Sequence, residues 1–529
     1  MPLTVSHGGV YLPSELLPLI ARHVPLYARP STLLALGLSS RGAYQAIHDL
    51  LYSCLVLRNE SDAISIFQRI LADPDLGGNV KELHVMSELT VATINKETPF
   101  DTVTGLKRVV KAGYLPQLRT LVVRLLKGGR HDEPWYRVAG FGHLEADFWE
   151  DLTTKSPRIQ TIVLSGIGDR TGDTWLQESG IYEVKTMKKL VNLGLTFSMG
   201  GHSQHNGTDI LLTSIRDLSS SLHTLVLGLN NRFESASPIL SLNFRQLRSL
   251  TLGMFSVPDV SEAMAFWERH PLIEKLKLID TYRTSHWFAE DSPADLLPNL
   301  QFFAASFHDV RSAISILPRL VGLSIQQSIN AQVPYLLRSL MPDGLPALES
   351  LEIDQDWSAD GDTLRRYEGS MWYESQDGKF HVEKKFKNAA KTFTQDYIHS
   401  IAKGAPNLKE LCLHGVPVHP TIVIKLAEEL SGFRKLERFY YRGVHDSNLA
   451  LRTVENRDAL YTSSRVLAER CHCLQSVTDI SHLPYLGARI RRNHEGLVEC
   501  VVPYEGCGML IGSEDEAFPM NPDPLVNAG

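Results

Sequence analysis

Leu222–Leu227 reads LHTLVL, Leu247–Leu252 reads LRSLTL and Ile273–Leu278 reads IEKLKL. In each, an apolar residue is followed at +3 and +5 by two more. The last pair has the period of a β-strand, on which side chains alternate between the two faces. One face of each segment is therefore apolar. The other carries what stands between the leucines: Thr224 and Val226, Ser249 and Thr251, Lys275 and Lys277.

The pattern extends in both directions. It appears as VKELHV at Val80, LRTLVV at Leu118, IQTIVL at Ile159 and LVNLGL at Leu190. Beyond Ile273 weaker or later copies are LQFFAA at Leu300, LVGLSI at Leu320, LESLEI at Leu348, LKELCL at Leu408, LERFYY at Leu436 and LQSVTD at Leu474, the last with Asp479 at +5. Pro116, Pro157, Pro271, Pro298, Pro318, Pro346 and Pro406 each stand two positions before the first apolar residue. That is seven of thirteen copies, where 27 prolines in 529 residues would put about one by chance. Proline cannot continue a helix and favours extended backbone before it, so each unit reads as helix, proline stop, short strand, loop.

The copies at Leu222, Leu247, Ile273 and Leu300 are 25, 26 and 27 residues apart. Period and core pattern together resemble a leucine-rich repeat from about Val80 to Leu474. The asparagine or cysteine usual after the strand is mostly missing, so the resemblance is to a divergent, helix-bearing form. It implies an α/β fold: a leucine-rich-repeat solenoid whose curved parallel sheet carries helices on its convex side. An ordinary α/β sheet protein with leucine-rich strands is the alternative.

In such a solenoid alternate strand residues face the concave side, where partners bind. Those positions are Thr120, Val122 and Arg124; Asn192, Gly194 and Thr196; Thr224, Val226 and Gly228; and, further on, Gln326 and Glu410. Charge gathers towards the C-terminal half, and arginine and tyrosine dominate binding hot spots. Lys275, Lys277, Glu352, Asp354, His414, Arg438, Tyr440 and Arg442 are therefore the candidates for contacting a protein target. For each of them a solvated strand face without a partner is the competing reading.

Composition narrows the function classes. With 53 basic and 60 acidic residues the net charge is −7, which gives no positive field for binding nucleic acid through phosphates. Six cysteines are too few for a disulfide scaffold of this length and point to a reducing compartment, cytoplasmic or nuclear. No apolar run approaches the roughly 20 residues that span a bilayer, and Pro13, Glu15, Pro18, Arg22 and His23 break up the apolar start, so no membrane partner is expected.

Signs of chemistry are sparse. Asp356, Asp360, Gly361 and Asp362 mimic part of a calcium loop, but its twelfth position holds Tyr367 rather than a glutamate. His202 with His205, and Cys471, His472 and Cys473, lack the second spaced pair of a structural zinc site. No nucleotide or hydrolase motif is present. The expectation is a non-enzyme without cofactor or metal.

Two stretches interrupt the repeat, near 127–150 and 355–403. In the second, alternation about Asp377-Gly378 predicts a β-hairpin, and Asn388–Ala402 has helical spacing. Residues 511–529 are acidic, proline-rich and aperiodic, which predicts a disordered tail.

The N-terminal part, LPSELLPLIARHV followed by LLALGLSSRGAYQAIHDLLYSCLVL, reads as three short helices and a strand. Ser14 can cap the first helix and Ser31 the second, and Gly42 separates the third. So short a bundle cannot bury all its leucines. Leu12, Pro13, Glu15, Leu16, Leu17, Ile20, Leu34, Leu36, Ser40, Arg41, Leu50, Leu51 and Tyr52 resemble the pattern of an F-box, and an F-box joined to the repeat resembles the F-box/leucine-rich-repeat proteins numerous in fungi. The organisation expected is a flexible 1–11, an F-box-like helical domain over 12–57, an irregular solenoid over 58–510 and the tail.

The resemblance implies a substrate receptor of a cullin-based, SCF-type ubiquitin ligase. Leu12, Pro13, Leu16, Leu17, Ile20, Leu34 and Leu38 would dock on a Skp-family linker protein, and the repeats would hold an unidentified protein substrate. Pro18, the stiff PLYARP connection and Ser39 depart from the F-box pattern. The alternative is a repeat scaffold whose N-terminal helices only cap the solenoid.

Overall fold

The computed structural model describes residues 16–17, 19–20, 29–57, 60–89, 102–127, 144, 146–167, 181–198, 206–230, 234–253, 255–279, 286–326, 332–341, 343–353, 373–374, 380–381, 397–413, 426–441, 454–479 and 485–506. The chain forms two compact units that divide between Ile273 and Glu274.

In the first unit, α1 (Arg29–Ser39) and α2 (Arg41–Ser53) lead directly into β1 (Cys54–Leu57). Ser40 caps α2, its hydroxyl accepting the Ala43 N–H at 3.0 Å. Gly42 therefore lies inside the first turn of α2 rather than between helices, and Ser31 lies inside α1 rather than capping it. A parallel sheet follows in the order β1, β2 (Glu82–Leu89), β3 (Thr120–Lys127), β4 (Thr161–Ile167), β5 (Asn192–Ser198), β6 (Thr224–Asn230) and β7 (Ser249–Gly253). Between strands the chain returns through α3 (Glu60–Ala72), α4 (Pro74–Gly78), α5 (Thr102–Lys111), α6 (Ala146–Lys155), a 3-10 turn at Ile181–Thr186, α7 (Asn206–Leu218) and α8 (Ser237–Leu240). Helix α9 (Val260–Arg269) follows β7.

The second unit repeats the plan with parallel strands β8 (Lys275–Ile279), β9 (Phe302–Ser306), β10 (Gly322–Gln326), β11 (Ser350–Ile353), β12 (Glu410–Leu413), β13 (Arg438–Tyr441) and β14 (Ser476–Asp479). Among its described helices are α10 (Phe307–Ser312), α11 (Gln332–Ser339), α12 (Ala427–Leu430) and α13 (Val454–Arg470). Two antiparallel strands, β15 (Tyr485–Arg492) and β16 (Val498–Gly506), then close the sheet on β14. They lie within the span read as solenoid but are a hairpin, not a repeat. Each unit is thus an α/β stack of strand-and-helix repeats on a mostly parallel sheet, the leucine-rich-repeat arrangement that the spacing predicts.

Every repeat leucine points into the helix-covered side. Leu225 and Leu227, Leu250 and Leu252, and Leu276 and Leu278 are all 2% exposed or less, as are the leading Leu222, Leu247 and Ile273. Burying one such side chain contributes about 2 kcal/mol.

The prolines act differently from a helix stop. The amides of Leu118, Ile273, Leu300, Leu320 and Leu348 bond back to the carbonyls of Leu115, His270, Leu297, Leu317 and Leu345, at 3.0–3.2 Å. Each proline is therefore the second residue of a tight turn, where its fixed φ is already correct. Copies without proline make the same turn, as from Leu190 to Met187 at 2.9 Å.

Neighbouring turns are joined by side chains. Ser156 Oγ donates to the Leu115 carbonyl and Ser221 Oγ to that of Leu190, both at 2.9 Å. The Phe244 N–H donates to His270 Nε2 at 2.8 Å, and burial lowers the pKa of that imidazole, favouring the neutral form that accepts. In the second unit the Arg319 guanidinium donates to the carbonyls of Ala294, Leu296 and Leu297. No helix is described between β8 and β9. Instead the buried Asp309 accepts the Trp287 N–H and the Ser306 hydroxyl, both at 2.7 Å, and fixes that segment.

The interruption at 355–403 leaves the register intact, since Ser350 pairs with Glu410 and Ile353 with Leu413. Part of it forms the expected hairpin, with Tyr373 opposite His381 and Glu374 opposite Phe380. Helical residues 397–404 bring the chain back. Gly344, at φ +59°, lies so close to this return that a Cβ would stand 2.4 Å from the Gly404 carbonyl oxygen. The centre of the 127–150 interruption, the tail and the calcium-like loop lie outside the described residues.

Replacing Arg319 by Met strands three carbonyls at once and should lower unfolding stability by about 2 kcal/mol. Arg158→Ala, which removes an exposed partner of Gln117, should cost under about 0.5 kcal/mol. Urea unfolding followed by far-UV circular dichroism compares the two.

Candidate functional site

The sheet face opposite the helices is built in rows, because parallel pairing in register places equivalent residues side by side. In the first unit one row runs Cys54, Glu82, Thr120, Thr161, Asn192, Thr224 and Ser249. It is polar, and Asn192 Nδ2 donates to Thr161 Oγ1 at 2.9 Å. The next row, Val56, His84, Val122, Val163, Gly194, Val226 and Thr251, is largely apolar, with Val122 and Val163 packed together.

In the second unit the corresponding rows hold the charged candidates. One runs Lys275, Phe302, Gly322, Ser350, Glu410, Arg438 and Ser476. Lys275 Nζ lies 5.3 Å from the centre of the Phe302 ring, a cation–π contact. Glu410 forms an ion pair with Arg438 on the adjacent strand. Burial pushes the Glu410 carboxyl up to about 7, and the Arg438 guanidinium opposes that shift.

The adjoining row runs Lys277, Ala304, Ser324, Glu352, Cys412, Tyr440 and Thr478. Tyr440 is 1% exposed and Glu352 6%. Tyr440, Cys412 and Ala304 belong to one apolar cluster, with Phe302 against it. These two candidates are therefore interior groups in this structure, whereas Lys275, Lys277 and Arg438 remain half-exposed. Asp354, His414 and Arg442 lie outside the described residues.

The N-terminal helices present a different surface. Leu17, Leu33, Ala43 and Ile47 form a small core of their own, joined by Leu36, Ala46, Leu50 and Leu51. Helices α1 and α2 pack against β1, so the N-terminal helical segment runs into the sheet without a break. Leu16, Leu19, Ile20, Leu34 and Leu38 stay at least 42% exposed, Leu38 reaching 79%. Leu16 with Ile20, and Leu34 with Leu38, are each one helical turn apart. Of the residues carried over from the F-box pattern, four therefore face outward and Leu17 faces inward. Leu12 and Pro13 lie outside the described residues. Leu19 was missed by the pattern, although its helical position beside Ile20 marks it.

Among the described residues one group could hold a metal. Cys54 Sγ, a Glu82 carboxylate oxygen and a His84 ring nitrogen lie within 4.8 Å of one another. Residue spacing hides this group, because Cys54 belongs to the preceding strand. The tempting CHC run is otherwise occupied: burial pushes the Cys471 thiol up to about 12, and Cys473 Sγ donates to the Arg434 carbonyl at 3.3 Å. His202 and His205 lie outside the described residues. No helix among the described residues is long and apolar enough to cross a membrane.

No protein-family model matches the chain, and no curated protein matches it. Among solved structures it is similar to the leucine-rich repeat-containing protein LegL7 from Legionella pneumophila. The two are 11% identical over 81% of this chain and 90% of that one, with a TM-score of 0.26.

Glu410 makes stability depend on pH. Between the usual 4.5 and about 7 the folded state holds a proton that the unfolded chain has released. Stability is therefore greatest below that window and falls as pH rises through it, by up to about 3 kcal/mol at 1.36 kcal/mol per unit. Glu410→Gln should flatten this difference between pH 5 and pH 8 in urea unfolding; an unchanged slope would assign it elsewhere.

Proposed function

We propose that the protein is a non-enzymatic substrate receptor of a cullin-based ubiquitin ligase, acting in the cytoplasm or nucleus. Its N-terminal helices dock on a Skp-family linker protein, and the repeat sheets hold a protein target. The observation that carries this reading is the outward set Leu16, Leu19, Ile20, Leu34 and Leu38 on helices that already possess their own core. Exposed apolar side chains grouped on short helices mark protein-interaction sites. Lys275, Lys277 and Arg438 are half-exposed charged groups on the second unit's sheet face and the contacts proposed for the target.

The capping reading has one observation in its favour: α1 and α2 pack on β1, as a cover for the first repeat would. The inward Leu17 and Leu33 belong to the helices' own core. Capping leaves the outward leucines without a role, so the same helices serve as cap on one side and docking surface on the other.

The test is co-purification of the full chain with a Skp-family linker. Combined Leu16→Asp, Leu34→Asp and Leu38→Asp replacements alter only exposed side chains, so the unfolding temperature should stay within a few degrees while linker retention falls by at least about tenfold. Undiminished retention, or none with the unaltered chain, would leave the capping role alone. Leu17→Asp is unsuitable, since it would open the small core.

A further inference from the structure

The structure assigns a zinc-class metal site to Cys54, Glu82 and His84 on the first two strands. Pairing of Cys54 with Glu82, and the two-residue step from Glu82 to His84, place all three on the sheet face away from the helices. Their donor atoms converge within 4.8 Å, and His84 Nε2 stands 3.9 Å from a Glu82 carboxylate oxygen. The three donors of a tetrahedral zinc ion stand about 3.4–3.6 Å apart, from bond lengths of roughly 2.0–2.3 Å. Side-chain rotations of less than about an ångström would close the set on an ion.

His84 supplies the independent observation. It is 2% exposed, and its Nε2 has no hydrogen-bond partner among the described residues. A buried ring nitrogen aimed at a carboxylate beyond hydrogen-bond range is costly unless something sits between them. A cation fits that place, because it accepts the lone pair of the nitrogen and offsets the negative charge of the carboxylate. Val122, paired with His84, forms part of the dry wall, and the Glu82 side chain, 37% exposed, leaves a path for the ion.

The donor set selects the metal. One sulfur, one imidazole nitrogen and one carboxylate oxygen suit zinc or a similar borderline ion, not magnesium or calcium, which take oxygen ligands. Cys54 loses its proton on binding, so thiolate and carboxylate together neutralise the divalent charge. Three protein ligands leave a fourth position open to water or a partner's side chain.

The test is Co²⁺ titration of the full chain after chelator treatment, read by the sulfur-to-cobalt charge-transfer band and by thermal unfolding. One equivalent should produce the band, raise the unfolding temperature and be displaced by Zn²⁺ but not Mg²⁺. Cys54→Ser should abolish the band, while Cys473→Ser, at an exposed thiol, should retain it. Glu82→Gln, a partly exposed change that spares the fold, should weaken Co²⁺ binding by at least about tenfold. Absence of the band in the unaltered chain, a band that survives Cys54→Ser, or unchanged affinity in Glu82→Gln would each overturn the assignment.

Discussion

At the foot of each repeat strand one backbone carbonyl accepts two amides from the next repeat. The Lys81 carbonyl takes the N–H groups of Arg119 and Thr120, that of Arg119 takes those of Gln160 and Thr161, and that of Gln160 takes those of Val191 and Asn192. The second unit does the same, with the Glu349 carbonyl taking Lys409 and Glu410. This shared acceptor sets the register before the strand begins. A slip of one residue would turn every leucine outward, so the core depends on it. The tight turn just upstream delivers the chain at the correct angle, which explains why proline recurs at that position. Nothing on the helical side enters that constraint. Accordingly the return path varies from the regular helix α5, through the 3-10 turn at Ile181–Thr186, to the Asp309-held segment without a described helix.

Spacing alone makes the strands legible, because alternation and turn chemistry are local. The hairpin about Asp377 is legible for the same reason. What depends on chains meeting is hidden. Tyr440 and Glu352 read as surface from alternation, yet their burial is decided by neighbours on other strands. The closing strands β15 and β16 carry no turn proline and no repeat leucine, so nothing local separates them from the solenoid. In the N-terminal segment Ser40 and Gly42 offer two equally plausible helix boundaries, and the capping hydrogen bond chooses the serine. The Cys54, Glu82 and His84 group shows the same limit. A strand spacing of Glu-x-His is visible, but its cysteine partner becomes a neighbour only through pairing.

The insertion after β11 illustrates how sharply the repeat separates frame from decoration. Gly344 and Gly404 bring the turn before β11 into backbone contact with the turn before β12, and the Leu345 N–H donates to the Gly404 carbonyl at 2.7 Å. Turn contact and strand pairing on either side hold the two repeats together, so the length inserted between β11 and β12 is constrained only weakly.

The hairpin that follows β14 reverses strand direction, and its outer strand carries Pro503 opposite Ala488. A parallel stack is by nature open-ended, since its last strand offers the same bonding groups that its first strand accepts. Reversal changes the bonding pattern from evenly slanted to alternating, and the proline deletes a donor on the outer strand. Arg492 secures the arrangement by donating to the carbonyls of Ala468, Cys471 and Leu474. The consequence is colloidal as much as structural: head-to-tail growth of one copy on another meets a mismatched edge, and the stack stays finite at concentrations where an unterminated one would assemble into fibres.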